Sequence, residues 1–221
     1  MTRCHTSYLK EDAAMPKGSP ERTAARKEEI IRACEKLYQT MGFKEITLKE
    51  IGKETSFSRP TIYNYFQTRE EIFLALYKLE YDRWNAELET ILEGNETLTR
   101  QELADQIARS LEKRGQLLKL LSMNNYDIEA NSRQELLAEF KAAYGESMRN
   151  IDRLLVKFCP EMNGPERQNF LYVFFPFLFG VYPYTTVSEK QRTAMSEAGV
   201  DFMYQSIYEI TCNCLIRLLN A

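Results

Sequence analysis

Apolar side chains recur along this chain with the period of an α-helix, and that period constrains the fold more than any other feature. The alternation typical of strands never persists beyond a few residues. The pattern predicts an all-α protein of about eight helices. Gly42 follows the first helical face and is predicted to end that helix in the left-handed conformation that glycine adopts easily. The side chains of this first face are Ile30, Ile31, Cys34, Leu37, Tyr38 and Met41.

Residue types that begin helices stand at three positions near the front of the chain. Thr47 is a predicted N-cap, and Glu50 three residues later completes a capping-box pattern. Ser58 is predicted to cap a short third helix, because Pro60 in its first turn needs no backbone donor. Thr68 is predicted to cap a long fourth helix. Further helices are predicted over residues 99–121, 133–158, 165–187, 189–197 and 201–219, with a polar loop over residues 122–132.

The second and third helices, joined by a tight turn, predict a helix-turn-helix. In that motif the second helix enters the DNA major groove with its first residues at the base edges. Arg59 can donate two hydrogen bonds to guanine, and Thr61 can contact a thymine methyl group or a phosphate. No acidic residue lies between Thr55 and Arg69.

The charge distribution divides the chain near the same place. The formal net charge of −3 argues weakly against a nucleic-acid-binding protein. Residues 1–70, however, carry 13 Lys or Arg and 10 Asp or Glu, a net charge of +3, whereas the remaining 16 bases and 22 acids give residues 71–221 a net charge of −6. A basic N-terminal part followed by an acidic C-terminal part indicates two functions in one chain.

The helix-turn-helix stretch resembles the TetR family of bacterial transcriptional regulators over about residues 21–73. The chain departs from the family pattern at Ser56, where glycine is usual, at Gly52, where alanine is usual, and at Arg69, where lysine is usual. We expect some strain from a positive φ at Ser56 and lower helix stability at Gly52. The residues that carry the resemblance are Gly42-Phe43, Thr47, Ser58, Thr61-Ile62-Tyr63, Asn64, Tyr65-Phe66 and Arg69.

The resemblance implies separate roles for these residues on double-stranded DNA. Thr47 and Arg69 would contact phosphates, and Tyr63 and Tyr65 would place their hydroxyl groups on the phosphate backbone. Such contacts fix the register of a protein on DNA, while a few side chains read the bases. The base-facing surface would comprise Arg59, Pro60, Thr61 and Asn64. The complete set of predicted DNA-binding residues is Thr47, Ser58, Arg59, Pro60, Thr61, Tyr63, Asn64, Tyr65 and Arg69.

The resemblance also implies the organisation of the whole chain. Residues 1–20 would form a flexible tail, residues 21–67 the DNA-binding domain, and residues 68–221 a helical effector-binding and dimerisation domain. The implied function is that of a DNA-binding transcriptional regulator, a repressor released from a palindromic operator by a small-molecule effector. The alternative is a helical small-molecule carrier or protein-interaction adaptor that does not bind DNA, against which Arg59, Thr61 and the two tyrosines argue.

Two apolar segments of the back part suit a homodimer interface. Residues 170–184 are apolar nearly all round, and residues 201–219 carry an apolar stripe, so that two helices from each subunit would form a four-helix interface. Packing within one subunit is the alternative. The predicted interface residues are Phe175, Phe179, Phe202, Ile207, Ile210, Cys214 and Leu218. The candidate effector-binding residues, each with core packing as the alternative, are Trp84, Met123, Tyr126, Phe158 and Phe174.

Other chemistry finds little support in the sequence. His5 is the only histidine, and no glycine-rich phosphate loop is present, so we expect neither an enzyme nor a metal or cofactor site. Five cysteines at wide spacing and a polar N-terminal segment favour free thiols and a cytoplasmic location. Residues 170–184 span roughly 22 Å as a helix, too short for a membrane core of about 30 Å.

Overall fold

A computed structural model describes residues 19–123 and 125–220 of the chain. The described part is all-α, as predicted, and contains no strand. The predicted tail lies outside it up to residue 18, as do His5 and Cys4. Its eleven helices are α1 (Pro20–Thr40), α2 (Leu48–Lys53), α3 (Arg59–Ile62), α4 (Arg69–Gly94), α5 (Arg100–Glu112), α6 (Gly115–Leu121), α7 (Asn125–Ala130), α8 (Gln134–Phe158), α9 (Gly164–Thr185), α10 (Glu189–Glu197) and α11 (Ile207–Leu219).

Helix α4 is the centre of the molecule. It packs most extensively on α8 and also contacts α1, α5, α6 and α7. Its side chains Ile72, Phe73, Leu76, Trp84 and Leu88 are fully buried. Helix α11 lies along α5, and α9 lies between α6, α8 and α11. Because α4 starts directly behind α3 and runs through the core, it connects the helix-turn-helix to the rest of the chain.

The front helices begin where the capping residues predict. The side chains of Thr47 and Thr68 accept the backbone N–H groups of Glu50 and Glu71, at 3.3 Å and 3.1 Å. The prediction for Gly42 was wrong, because α1 ends with Met41 in an extended conformation and Gly199 is the only described residue with positive φ. The N–H group of Gly42 instead donates to the carboxylate of Glu45 at 2.6 Å.

The expected strain at Ser56 is also absent, since no described residue other than glycine has positive φ. Side chains of α1 hold the turn instead. The Ser56 N–H group donates to the Glu29 carboxylate, and Arg26 Nη1 donates to the Ser56 hydroxyl at 3.2 Å. The guanidinium of Arg26 also lies 4.4 Å from the centre of the Phe57 ring. The turn is therefore fixed by contacts to α1 rather than by a glycine.

Three boundaries in the back part differ from the prediction. The helix predicted over residues 99–121 breaks at Arg114, which leaves the helical conformation before Gly115, a weak helix former. The predicted polar loop contains α7, which is anchored by the buried Ile128. The last helix starts only at Ile207, because Ser206 forms a capping box in front of it.

Helix α9 is apolar around most of its circumference and contains Pro176 and Pro183. Among the described residues, no single helix has the length and hydropathy of a membrane span. Helices α9 and α10 meet that criterion only as a pair, which is bent by 85° at the break between them.

Candidate functional site

The candidate DNA-binding surface is built on a single helical turn. Helix α3 has only four residues, and its backbone continues as a turn in which Tyr65 N–H donates to the Ile62 carbonyl at 2.9 Å. Ile62 and Phe66 are buried and anchor this turn to the core. We call residues 59–66 the recognition turn. Because Ile62 and Phe66 provide the anchor, the side chains of Arg59, Pro60, Tyr63 and Asn64 are exposed, whereas Thr61 and Tyr65 are half-buried.

The caps of α2 and α3 differ in detail from the predicted ones. At α2 the Thr47 hydroxyl donates to the Glu50 carboxylate, so the reciprocal bond of a capping box is not formed. Ser58 was predicted to cap α3 with its side chain, but it makes no such bond. Its hydroxyl lies 3.3 Å from the Thr61 hydroxyl instead.

Arg59 and Tyr63 form an exposed, hydrogen-bonded pair on the recognition turn. Arg59 Nη2 donates to the Tyr63 hydroxyl at 3.0 Å, and 45% of the Tyr63 side chain is accessible to solvent. Pro60 and Asn64 are exposed beside them. A guanidinium bonded to a phenol keeps donors for a ligand, because no carboxylate of the described residues forms an ion pair with it.

Three of the predicted DNA-binding residues lie along one open depression. Thr47, Arg59 and Arg69 line it together with Lys49 and Glu70. This depression brings together the start of α2, the start of α3 and the start of α4. Lys49 is exposed there and was not singled out from the sequence, although its position two residues after the N-cap could have drawn attention to it.

Arg69 and Tyr65 are less available than the sequence indicates. The Arg69 guanidinium donates to the carbonyls of Phe43 and Ile46, at 3.2 Å and 3.3 Å, and to the Glu70 carboxylate at 2.8 Å. Tyr65 is half-buried. In this structure Arg69 therefore ties the start of α4 to the loop before α2, in place of the exposed cation that the prediction assumed.

A buried carboxylate behind the recognition turn was not predicted. Glu71 is 1% exposed, and it accepts hydrogen bonds from Arg133 Nε at 2.7 Å, Arg133 Nη2 at 2.9 Å and the Gln67 N–H group at 2.7 Å. Burial alone would raise the pKa of Glu71, but the hydrogen bonds from Arg133 and Gln67 outweigh it and lower the pKa. No local pattern in the sequence indicates this pair, because its members are 62 positions apart.

A cavity of about 540 Å³ lies between α4, α7, α8 and α9. Met123 and Tyr126 line it, as predicted from the sequence. Trp84, Phe158 and Phe174 do not line it, because they are buried in the core, where the Trp84 indole N–H donates to the Ser110 hydroxyl at 3.0 Å. The sequence cannot distinguish the residues that line the cavity from those buried in the core, since the side chains of both groups are largely apolar. The lining also includes Tyr81, Leu121, Glu129, Phe140, Lys141, Tyr144 and Phe179.

The predicted interface residues divide into three groups by exposure. Phe175 is only 2% exposed, with its ring centre 6.1 Å from that of Trp84 and 5.5 Å from that of Tyr144, so within the chain it is a core residue and the interface prediction for it was wrong. Phe179 is exposed at the cavity. The half-buried members of the predicted set are Phe202, Ile207, Ile210, Cys214 and Leu218.

Apart from Phe179, the exposed apolar side chains of α9 belong to residues that the prediction did not name. Tyr172 is 63% exposed and Val173 is 51% exposed, and Pro176 follows on the same face.

The described residues contain no cluster of three or more His, Cys, Asp or Glu that could hold a metal ion. Cys34, Cys159, Cys212 and Cys214 are free thiols, as expected.

Two family descriptions match consecutive parts of the chain. Residues 30–76 match "Bacterial regulatory proteins, tetR family", and residues 78–204 match "Tetracyclin repressor-like, C-terminal domain", which is more than half of the chain. The chain belongs to the TetR family. It is therefore a helix-turn-helix transcriptional regulator and not an enzyme, and the resemblance stated for residues 21–73 is confirmed.

Individual relatives of this TetR-family chain are distant. An uncharacterised HTH-type transcriptional regulator of Bacillus subtilis, YfiR, is 33% identical over 67 residues, which cover 30% of the chain and one third (33%) of that relative. A TetR-family regulator of Thermus thermophilus, PfmR, is 14% identical, with a TM-score of 0.59 over 87% of this chain and 97% of that one. The fatty acid degradation regulator FadR of Bacillus halodurans is 16% identical, with a TM-score of 0.55 over 92% and 96%. These structures show a shared fold.

Proposed function

We propose that this regulator is a cytoplasmic repressor that binds a palindromic operator as a homodimer and leaves it when a small molecule occupies the aromatic cavity. The observation that carries the proposal is the exposed Arg59–Tyr63 pair on a turn without acidic residues. In the proposal residues 21–67 bind DNA and residues 68–221 bind the effector and the second subunit.

The proposed contacts follow the exposure of each side chain. Arg59, Pro60 and Asn64 face the bases, because they are exposed on the recognition turn. Thr47, Ser58, Thr61 and Tyr63 bond to phosphates with their hydroxyl groups. Tyr65 and Arg69 act by supporting the turn and the start of α4.

An apolar effector with a long chain suits the cavity best. Rings of Tyr81, Phe140, Tyr144 and Phe179 surround it, and Lys141 lies at its edge. The FadR of Bacillus subtilis, which shares the fold at 16% identity and a TM-score of 0.56 over 87% of this chain and 96% of its own, was solved with stearoyl-CoA. The FadR of Thermus thermophilus, at 20% identity and a TM-score of 0.54 over 88% and 93%, was solved with lauroyl-CoA. We therefore propose a fatty acyl compound as the effector class.

The second subunit would pack on the exposed face of α9 together with α11. An isologous dimer places two recognition turns on one side of the DNA, about 34 Å apart, where they can read a palindrome. A monomeric carrier or adaptor remains the competing function, and it predicts neither DNA binding nor this spacing.

Selection of duplexes from a random DNA pool by the purified protein tests the proposal. We expect a palindromic site, bound with an affinity that Arg59→Ala lowers about fivefold to a hundredfold, which corresponds to the loss of about 1–3 kcal/mol for a specific base contact. Tyr63→Phe should bind more weakly by a smaller factor, and addition of lauroyl-CoA should release the DNA. If no duplex is enriched above background, the carrier or adaptor function is favoured and the repressor proposal fails.

A further inference from the structure

We propose that Arg133 is a positioning residue for operator binding, and that α7 is the element through which the cavity controls it. The inference rests on the proposed repressor function and adds the route by which the effector site and the recognition turn communicate. Neither Arg133 nor α7 touches DNA in this arrangement, so both act through the turn.

Arg133 joins three parts of the chain. It is the N-cap residue of α8, and its backbone N–H group donates to Glu71 at 3.2 Å, while its guanidinium makes two further bonds to the same carboxylate. Its Nη2 atom also donates to the carbonyl of Tyr65 at 3.1 Å. The side chain thus bridges the start of α8, the first turn of α4 and the end of the recognition turn.

Two neighbouring contacts strengthen this connection. The Thr68 hydroxyl donates to the Asn131 carbonyl at 2.9 Å, and the Gln67 N–H group donates to the Glu71 carboxylate. We call these contacts between residues 131–133 and residues 65–71 the Arg133 junction. Because Glu71 is buried and charged, it needs the bonds that Arg133 supplies, and loss of the guanidinium leaves that charge without its main partner.

Helix α7 connects this junction to the cavity. It ends at Ala130, one residue before Asn131, so a shift of the helix is transmitted to the junction through the backbone. Tyr126 and Glu129 of α7 line the cavity. The Glu129 carboxylate accepts a hydrogen bond from Lys141 of α8 at 2.6 Å, which ties α7 to α8 at the cavity.

The Arg133 junction has two states in this proposal. When the cavity is empty, the Lys141–Glu129 pair holds α7, the junction is formed, and the recognition turn has the orientation that binds DNA. A ligand that enters between α7 and α8 displaces α7, withdraws residues 131–133 from the turn, and lowers operator affinity.

A second contact between the DNA-binding helices and the rest of the chain offers a comparison. Lys119 of α6 donates to the carbonyls of Tyr38 and Met41, at 2.5 Å and 3.3 Å, and so ties α6 to the end of α1. It does not contact the recognition turn. Lys119→Ala therefore removes a contact to the DNA-binding helices without opening the Arg133 junction.

The test compares Arg133→Ala with Arg149→Ala, which removes an exposed arginine of the same helix that forms an ion pair with Glu146. We expect Arg133→Ala to bind the selected duplex about fivefold or more weakly and to increase amide hydrogen exchange at residues 61–67, with α5 and α11 unchanged. Arg133→Lys should recover part of the affinity, and Arg149→Ala and Lys119→Ala should not loosen residues 61–67. Wild-type affinity in Arg133→Ala, unchanged exchange at residues 61–67, or a uniform increase of exchange across α5 and α11 would overturn the assignment.

A double-mutant cycle tests the part assigned to α7. Glu129→Lys places two like charges at the edge of the cavity and should weaken operator binding in the wild-type background, but not further in the Arg133→Ala background. Independent, additive losses would overturn the route through α7. If wild type enriches no duplex, the repressor function fails, whereas unchanged hydrogen exchange at residues 61–67 in Arg133→Ala overturns the junction independently of any DNA.

Discussion

The hydroxyl of Thr211 is buried on α11 and has no hydrogen-bond partner among the residues that the structure describes. A buried polar group without a partner costs about 1–3 kcal/mol, whereas valine has nearly the same shape without the hydroxyl. We therefore expect Thr211→Val to raise the free energy of unfolding by about 1 kcal/mol, measured by urea denaturation.

Thr99 provides the matched control for this prediction, because its hydroxyl is bonded in the capping box of α5. The same change, Thr99→Val, should lower the free energy of unfolding by about 1 kcal/mol. Equal effects of the two substitutions would contradict the reasoning.

Glu71 makes stability depend on pH. Its pKa is lowered in the folded state, so the charged carboxylate stabilises the fold above the unfolded pKa of about 4.3, and this contribution is lost as the pH falls through the folded pKa. We expect Glu71→Gln to be less stable than wild type by about 2 kcal/mol at pH 7, with a difference that shrinks below about pH 4. Denaturation at several pH values measures it, and a constant difference from pH 7 to pH 3 would be inconsistent with it.

At the scale of helices, Gly52 is the clearest site for improvement. A Cβ atom there would lie 3.5 Å from the Cβ atom of Arg59, an ordinary contact, and glycine costs a helix about 0.5–1 kcal/mol relative to alanine. Gly52→Ala should therefore raise the free energy of unfolding by about that amount, measured by thermal or urea unfolding.

Gly199 gives the opposite expectation for the same change. Its φ of +64° lies in the left-handed region, where a side chain costs about 1–2 kcal/mol. Gly199→Ala should destabilise the turn after α10, and stabilisation there would refute the backbone argument.

Capping residues explain why the front of the fold is predictable from sequence. Thr47 and Thr68 act locally, through donors three residues away, so a short stretch of sequence contains the whole signal. The break at Arg114 is different, because the apolar period continues through it and the guanidinium there reaches Glu87 of α4 at 2.9 Å. Helix α7 escapes prediction for a similar reason, since Ile128 alone marks its buried side.

The candidate site shows the same limit. Arg59 and Tyr63 can be predicted as DNA-binding residues because they stand at fixed local spacings in the family pattern. Glu71 and Arg133 are far apart in the sequence and come together only in the folded chain. On α9 the apolar residues leave no polar face, so the sequence cannot separate Phe175 in the core from Val173 on the surface.

At the scale of the whole molecule, the exposed α9 face predicts the oligomeric state. A charge at Val173 would meet its own copy across a two-fold interface and would have to be desolvated there. We expect Val173→Glu to sediment as a monomer under conditions in which wild type is a dimer, and to lose operator affinity.

Val156 of α8 supplies the control, because it is equally exposed but lies outside the proposed interface. Val156→Glu should remain a dimer. Dimeric Val173→Glu, or monomeric Val156→Glu, would place the interface elsewhere.

The charge balance of the molecule predicts its response to salt. Few cations lie near the recognition turn, so binding should release only a few counterions per subunit, and the slope of log K against log salt should be correspondingly shallow. Lys49→Ala should reduce that slope by about one per subunit, measured by fluorescence anisotropy at several salt concentrations. Lys190→Ala, on the exposed α10, should leave it unchanged, and a steep wild-type slope that neither variant alters would argue against the proposed contact surface.

The four-residue length of α3 has an evolutionary consequence. Ile62 and Phe66 supply the attachment to the core, whereas Arg59, Pro60 and Asn64 are exposed. Substitutions at those three positions carry little penalty in folding, so a duplicated copy of such a gene can drift toward a new operator while its scaffold and its sensor stay intact. Under the proposed contacts, a change of operator therefore needs only a few substitutions within one helical turn.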